Sequence, residues 1–204
     1  MIAGTMRSTT PIDWSEYGLW EYLLIAHPDK EVRDKVVEEK KHFTKTYNER
    51  STIKTHPYIT IANFLGNEQM EGTLRRWIRN ICNSHSSFNV TLNNFSGFVP
   101  HTIFLKIDNA QPFKQLAASL KVLDHFIQAN DCPPLKLVTT PHLTIARRLP
   151  EQVYFRALKD YMQRSFQQSF VVNSLTLIKR TGEYAICQTV QVFALPSGQG
   201  TLFN

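Results

Sequence analysis

The sequence predicts an α+β fold: two similar lobes of antiparallel sheet with helices on the outside, related by a pseudo-twofold duplication around a central cleft. Three observations lead there. The order strand, helix, strand, helix, strand occurs once and then nearly again, with an added strand. Apolar residues recur at two-residue spacing in the strand segments and at three- and four-residue spacing in the helical ones. The hexapeptide Pro57-Tyr58-Ile59-Thr60-Ile61-Ala62 matches Pro141-His142-Leu143-Thr144-Ile145-Ala146, with proline, threonine, the second isoleucine and alanine identical. The approximate repeats run over 17–98 and 99–196, in a single two-lobed domain spanning 1–204. A polar, Gly-containing tail at 197–204 is expected to be mobile.

Each element has its own signal. The run 19–26, LWEYLLIA, reads as a buried strand. Pro28 then fits a first helical position, and Asp29 and Glu31 a first turn. Val32, Val36, Val37 and Phe43 give one apolar face to a helix ending near Tyr47. Tyr58–Phe64 is rich in β-branched and aromatic residues and reads as a strand. Met70, Leu74, Trp77, Ile78 and Ile81 follow at helical spacing. Phe88–Phe98 begins with strict alternation, which slips at Asn93–Asn94 as a bulge would. Thr102–Ile107 opens the second copy with Ile103, Leu105 and Ile107 on one face. Phe113, Leu116, Leu120, Leu123 and Ile127 form a helical stripe. Leu135–Ala146 carries strand signals on both sides of Pro141. Tyr154, Leu158, Tyr161 and Ser165 share a helix face beside Ala157 and Met162. Phe170–Lys179 and Tyr184–Leu195 read as a hairpin around Thr181-Gly182.

Composition narrows the function classes. The chain has 204 residues, 42% hydrophobic and 20% charged, which is ordinary globular composition. No stretch approaches the roughly 20 apolar residues of a membrane span, and the N-terminus lacks the apolar core of a signal peptide. A cytoplasmic protein without membrane association, monomeric by default, is expected. Cys82, Cys132 and Cys187 are odd in number and widely spaced, so they are read as reduced thiols. Neither HExxH nor a paired-histidine motif occurs, and no metal or cofactor is expected. The formal charge of +6 suits an anionic partner, RNA or a small nucleotide.

The chemistry lies in the second hexapeptide. On a strand, residues i and i+2 share a face, so His142 and Thr144 point one way while Leu143 and Ile145 point into a core. Imidazole titrates near neutral pH and exchanges protons, and a threonine hydroxyl beside it can hold a phosphate oxygen. Equivalent strands facing each other across a cleft would bring two such pairs around one phosphate. On these residues, Pro141-His142-Leu143-Thr144-Ile145-Ala146-Arg147 and Pro57-Tyr58-Ile59-Thr60-Ile61-Ala62-Asn63-Phe64, the sequence resembles the 2H phosphoesterase superfamily, which includes 2′-5′ RNA ligases and cyclic nucleotide phosphodiesterases. The likeness extends over the strand–helix pattern from about Leu19 to Leu195. It implies metal-independent action on RNA ends or small nucleotides with 2′-5′ or 2′,3′-cyclic phosphodiester bonds.

That family carries histidine at both motif positions, whereas Tyr58 stands at the first here. Phenol is an ordinary proton donor but a poor base at neutral pH. The expected catalytic set is therefore His142 for proton transfer, Thr60 and Thr144 for the phosphate, and Tyr58 as an orienting group or weak acid. His56, about 6.6 Å along the same strand face, and His101, at the start of the next strand, are candidates to replace the missing imidazole. Arg147 is a candidate phosphate fork, with Arg148 and Lys54 as further cations. Phe64 and Tyr184 are candidates for base stacking. The alternative is a catalytically impaired relative that binds RNA or nucleotide phosphate in the same cleft. A plain interaction domain keeping only the fold is a third class.

Overall fold

The computed structural model describes residues 12–49, 56–183 and 185–197. The positions of Lys54, Tyr184 and the tail after Ser197 lie outside the described residues. Strand β1 (Trp20–Ala26) is apolar on both faces because it is covered on both. Tyr22, Leu24 and Ala26 enter the main core, while Leu23 and Ile25 pack with Ile178 and Tyr58 on the other side. Helix α1 (Lys30–Tyr47) follows, with Val32, Val36, Lys40, Phe43 and Tyr47 buried. Asp29 is its N-cap, accepting from the Val32 amide at 2.9 Å. Pro28 therefore precedes the cap instead of opening the helix. The carboxylate of Asp29 can satisfy an orphan amide, which a proline one residue earlier cannot do.

Strand β2 (Ile59–Gly66) leads through a short 3-10 turn into α2 (Glu71–Asn83). Strand β3 (Phe88–Phe98) carries the expected bulge: its register against β4 (Thr102–Ile107) shifts between Leu92 and Phe95. Asn94 sits there at φ 57°, a conformation asparagine tolerates well. Its side chain accepts from the Phe166 amide at 3.0 Å. The single helical stripe of 113–127 is two helices, α3 (Gln111–Leu120) and α4 (Val122–Gln128), interrupted at Lys121. The segment around Pro141 likewise holds two strands, β5 (Lys136–Leu137) and β6 (His142–Ala146). Helix α5 (Glu151–Tyr161) buries Tyr154, Ala157 and Tyr161 but stops before Ser165, leaving Met162 exposed.

The last hairpin departs from expectation. Phe170–Lys179 is not one strand but parts of two, β7 (Gln167–Val172) and β8 (Ser174–Arg180), separated at Asn173. β7 pairs with β3, whereas β8 pairs with β1 and β9 (Gln188–Ala194). β8 ends at Arg180 and β9 begins at Gln188, so they are not joined by a two-residue turn. Thr181 and Gly182 meet the N-terminal segment, where Gly182 bridges Asp13 and the Trp14 amide donates to the Thr181 carbonyl at 2.6 Å.

All pairings described are antiparallel, and the strand order is β7-β3-β4-β6-β2-β1-β8-β9, with β5 added beside β2. The two halves meet where β6 lies beside β2. Sequence repeats and spatial halves do not coincide. β3, from the first repeat, belongs with β4 and β6, while β8 and β9, from the second, extend β1. The helices cross over too: α1 packs on β6 and β7, and α3 and α4 pack on β2. This interleaving gives the halves a shared apolar core of Tyr22, Leu24, Ile59, Leu143 and their neighbours.

Candidate functional site

At the junction of the halves, Ile59 of β2 pairs with Leu143 of β6. Both are buried, so the alternate residues on either side face away from the core. An antiparallel register centred on this pair sets Tyr58 across from Thr144 and Thr60 across from His142. Past it β2 is joined by β5, at Ala62↔Leu137 and Asn63↔Lys136, so β2 and β6 diverge. A cleft of about 450 Å³ opens at this divergence, and Tyr58, Thr60, His142 and Thr144 all line it. So do His56 and Arg147.

His142 is held in one tautomer. Its Nδ1 lies 2.8 Å from the Thr140 carbonyl oxygen, which can only accept, so Nδ1 carries the proton. Nε2 is left with the lone pair. The ring packs edge-on to Phe98 at 5.0 Å and against Phe104 at 4.9 Å between centroids. Burial among these rings lowers the His142 pKa, and the bond to Thr140 offsets this only in part. Neutral imidazole therefore prevails at pH 7, the form needed to accept a proton.

Tyr58 is shifted the opposite way for a base. Burial raises its pKa, and the nearby Arg180 and Arg147 charges oppose that rise. It stays a neutral phenol, able to donate a proton. His27 packs edge-on to Tyr58 at 6.4 Å and its Nδ1 lies 3.4 Å from the Pro57 carbonyl oxygen.

Two expected site residues lie elsewhere. Phe64 is 2% exposed and stacks on Tyr22 at 5.3 Å inside the main core. The register against β1 runs Leu24↔Ala62 and then Ile25↔Thr60, a bulge at Ile61 that shifts the alternation, so Ala62, Phe64 and Gly66 turn to the core while Asn63 takes the cleft side. His101 is exposed in the turn between β3 and β4 and does not line the cleft. Arg148 also lies outside the lining, at φ 57°, where it forms an ion pair with Glu183.

The cleft also gathers charges, of which only Arg147 stood out in the sequence. Arg180, 6% exposed, donates through Nε to Glu21 Oε2 at 2.5 Å and through Nη1 to the Glu183 carbonyl at 2.9 Å. Glu21 also accepts from Asn63 Nδ2 at 2.6 Å. Arg147 approaches Glu183 at 3.4 Å. Lys40 and Lys136 complete the lining cations. Four cations against two carboxylates make the site electropositive, the setting an anionic phosphate requires. A signal for some of these was present: Glu21 interrupts an apolar strand, and Lys40 falls on the buried stripe of α1, where a solvated lysine would not.

Among the described residues, no three His, Cys, Asp or Glu side chains gather as a metal-binding group. No helix among them is long and apolar enough to cross a membrane. Cys82 and Cys132 are buried and Cys187 is exposed, all unpaired thiols.

The fold recurs in solved structures. Escherichia coli LigT in its apo form shares 17% identity, with 88% of this chain and 99% of that one covered, at a TM-score of 0.64. The protein TT0787 of Thermus thermophilus shares 18%, covering 87% and 99%, at 0.65. LigT complexed with 3′-AMP shares 15%, covering 87% and 98%, at 0.63. No curated protein matches the sequence significantly. The family model described as the 2′-5′ RNA ligase superfamily matches residues 28–183, from the approach to α1 through Glu183 at the cleft. With both hexapeptides inside that match and the same fold around them, the chain belongs to the 2′-5′ RNA ligase superfamily.

Proposed function

We propose that this protein is a phosphoesterase acting on RNA ends or small nucleotides with 2′-5′ or 2′,3′-cyclic phosphodiester bonds. One observation carries the reading: Tyr58, Thr60, His142 and Thr144 converge on a single electropositive cleft at the Ile59–Leu143 junction. The solved complexes of E. coli LigT with 3′-AMP, phosphate and ATP, which share this fold, support a nucleotide as ligand. Nothing in the comparisons favours a protein that binds without turnover.

The chemistry follows from the side chains. Thr60 and Thr144 donate hydroxyl hydrogen bonds to the phosphate oxygens, which gain charge as the phosphorus is attacked. His142 Nε2 removes the proton from the attacking water or ribose hydroxyl. Tyr58 supplies its phenolic proton to the departing alkoxide, a stronger base than phenolate. Arg147 offers a guanidinium to the phosphate. Phe98, 38% exposed on the lining and stacked on Phe104 at 4.4 Å, offers the ring face for a nucleobase in place of Phe64. His56, exposed at the cleft mouth, is left as a contact to the ligand's outer portion.

The test is turnover of a nucleoside 2′,3′-cyclic phosphate and a 2′-5′-linked oligonucleotide, comparing wild type with His142→Ala. Activity in wild type should fall by a factor of about 10² or more in the variant, as loss of a general base does. Equal turnover by the two proteins would defeat the assignment.

A further inference from the structure

Glu183 lines the cleft but has no part in this chemistry. Its carboxylate is divided between two arginines: Oε1 lies 3.4 Å from Arg147 Nη1, and Oε2 accepts from Arg148 Nη2. Arg147 lines the cavity and Arg148 does not. One carboxylate oxygen thus faces the guanidinium offered to the phosphate, while the other is tied outside the cleft.

The backbone around Glu183 is fixed independently of that carboxylate. The Glu183 carbonyl accepts from Arg180 Nη1 at 2.9 Å. Just before it, the Thr181 carbonyl accepts from the Trp14 amide at 2.6 Å, and Gly182 bridges Asp13. The approach at Gly182 is close, since a Cβ there would lie 2.9 Å from the Ile12 carbonyl oxygen. A phosphate that draws Arg147 toward itself therefore leaves Glu183 beside the cleft, held by Arg148 and by its own backbone. The side chains of Glu183 and Arg147 are 26% and 34% exposed, so solvent screens the carboxylate only in part.

A fixed negative charge acts unequally on substrate and product. In hydrolysis of a 2′,3′-cyclic phosphodiester, a bond forms between phosphorus and the water oxygen, and the bond to one ribose oxygen breaks. His142 takes a proton from the water and Tyr58 gives one to the ribose oxygen. The diester carries one negative charge. The monoester carries nearly two at pH 7, because its second hydroxyl ionises near pH 6 and that proton passes to solvent. A carboxylate beside the phosphate disfavours the dianion about twice as strongly as the monoanion.

Resting on the phosphoesterase reading, we propose that Glu183 is a specificity-determining residue, whose carboxylate makes the cleft prefer a phosphodiester over the phosphomonoester formed from it and so favours release of the product. Arg147 binds the phosphate of either, and Glu183 sets the difference between them.

The test uses initial rates of the whole chain at pH 7. Adenosine 2′,3′-cyclic phosphate gives KM, and adenosine 2′- and 3′-monophosphates give Ki as competitive inhibitors. Wild type is compared with Glu183→Gln, which keeps an oxygen for Arg148 and removes the charge. Circular dichroism checks the fold, and Glu183→Ala takes the place of a glutamine variant that does not fold. Loss of the charge should lower KM about threefold and the Ki of the tighter-binding monophosphate about tenfold, so that Ki/KM falls about threefold. A residue that merely positions Arg147 would raise KM and Ki together. That result, or an unchanged Ki/KM, overturns the proposal while turnover by wild type leaves the phosphoesterase reading intact. Absence of turnover in wild type removes both.

Discussion

Ile59 and Leu143 face each other across the junction of β2 and β6, and they hold the same position in the two hexapeptide copies. A pseudo-twofold axis therefore passes between them. Whatever stands one residue before or after either of them has its counterpart diagonally across the cleft. Tyr58 and His142 are such counterparts, as are Thr60 and Thr144. The symmetry is complete in the threonines and broken at the proton-transferring position.

This relationship makes Tyr58→His a direct test. It would place an imidazole at the position related to His142 by the axis, and general acid–base groups contribute 10²–10⁴-fold. We expect kcat/KM for a 2′,3′-cyclic nucleotide at pH 7 to rise at least about tenfold. Tyr58→Phe should lower it by a similar factor, because the ring is kept and only the proton is lost. Equal rates for tyrosine and phenylalanine would remove the phenol from the reaction.

The pH dependence follows from His142. Its pKa is below the ordinary 6.5 because the charged ring would lose water among Phe98 and Phe104. The active base is the neutral form. As pH falls, kcat/KM should thus hold through 6.5 and decline only below it, at the same pH where the His142 ring titrates by NMR. Stability moves with the same sign. The unfolded chain takes up this proton near 6.5 and the folded chain only lower, so stability from this group is lost across that interval as pH falls. Phe98→Ala relieves the burial and should raise the pKa toward 6.5.

Much of this was legible in the sequence because it depends on local pattern. The β1 run, the α1 stripe, the β3 bulge at Asn94 and the two hexapeptides are each set by residues close in the chain. What escaped depends on distant pairing. Nothing local tells that residues 170–179 divide at Asn173 between two halves of one sheet, since either strand is apolar enough to be central. Phe64 was misplaced for the same reason: the bulge at Ile61, set by the pairing of β2 with β1, moves the even positions of β2 from the cleft face to the core. Arg180 and Glu21, 159 positions apart in sequence, meet only after β8 has crossed to β1.

That pair yields a prediction linking stability to binding. The side chains of Arg180 and Glu21 are 7% and 14% exposed. Removing one partner of such a pair leaves a charge with poor solvation, at a cost of about 3 kcal/mol. Glu21→Ala should lower unfolding stability in urea by about that amount. Glu21→Gln keeps one acceptor oxygen, enough for Arg180 but not for Asn63 as well, and should cost roughly half as much. It also removes a negative charge from the cleft wall, so nucleotide affinity should rise in Glu21→Gln and fall more steeply with salt. A weaker-binding Glu21→Gln would show that the carboxylate positions Arg180 rather than merely neutralising it.

A second coupling ties the helix layer to the cleft rim through Gly97 and Tyr154. A Cβ on Gly97 would collide with the Tyr154 hydroxyl oxygen and lie 3.1 Å from the Thr102 carbonyl oxygen. Tyr154 is fully buried, so its ring cannot swing aside. Its hydroxyl is buried with no hydrogen-bond partner among the described residues. Gly97→Ala should therefore cost about 1–3 kcal/mol through overpacking. Tyr154→Phe removes an unsatisfied hydroxyl and should be neutral or stabilising by about 1 kcal/mol. Combined, the loss from Gly97→Ala should shrink by at least about 1 kcal/mol, because the colliding atom is gone. Gly97 directly precedes Phe98, so the alanine should also displace that ring and weaken nucleotide binding, and Tyr154→Phe should restore part of it. Additive stabilities in urea would mean that the Thr102 carbonyl, not the phenol, sets the limit on this close approach.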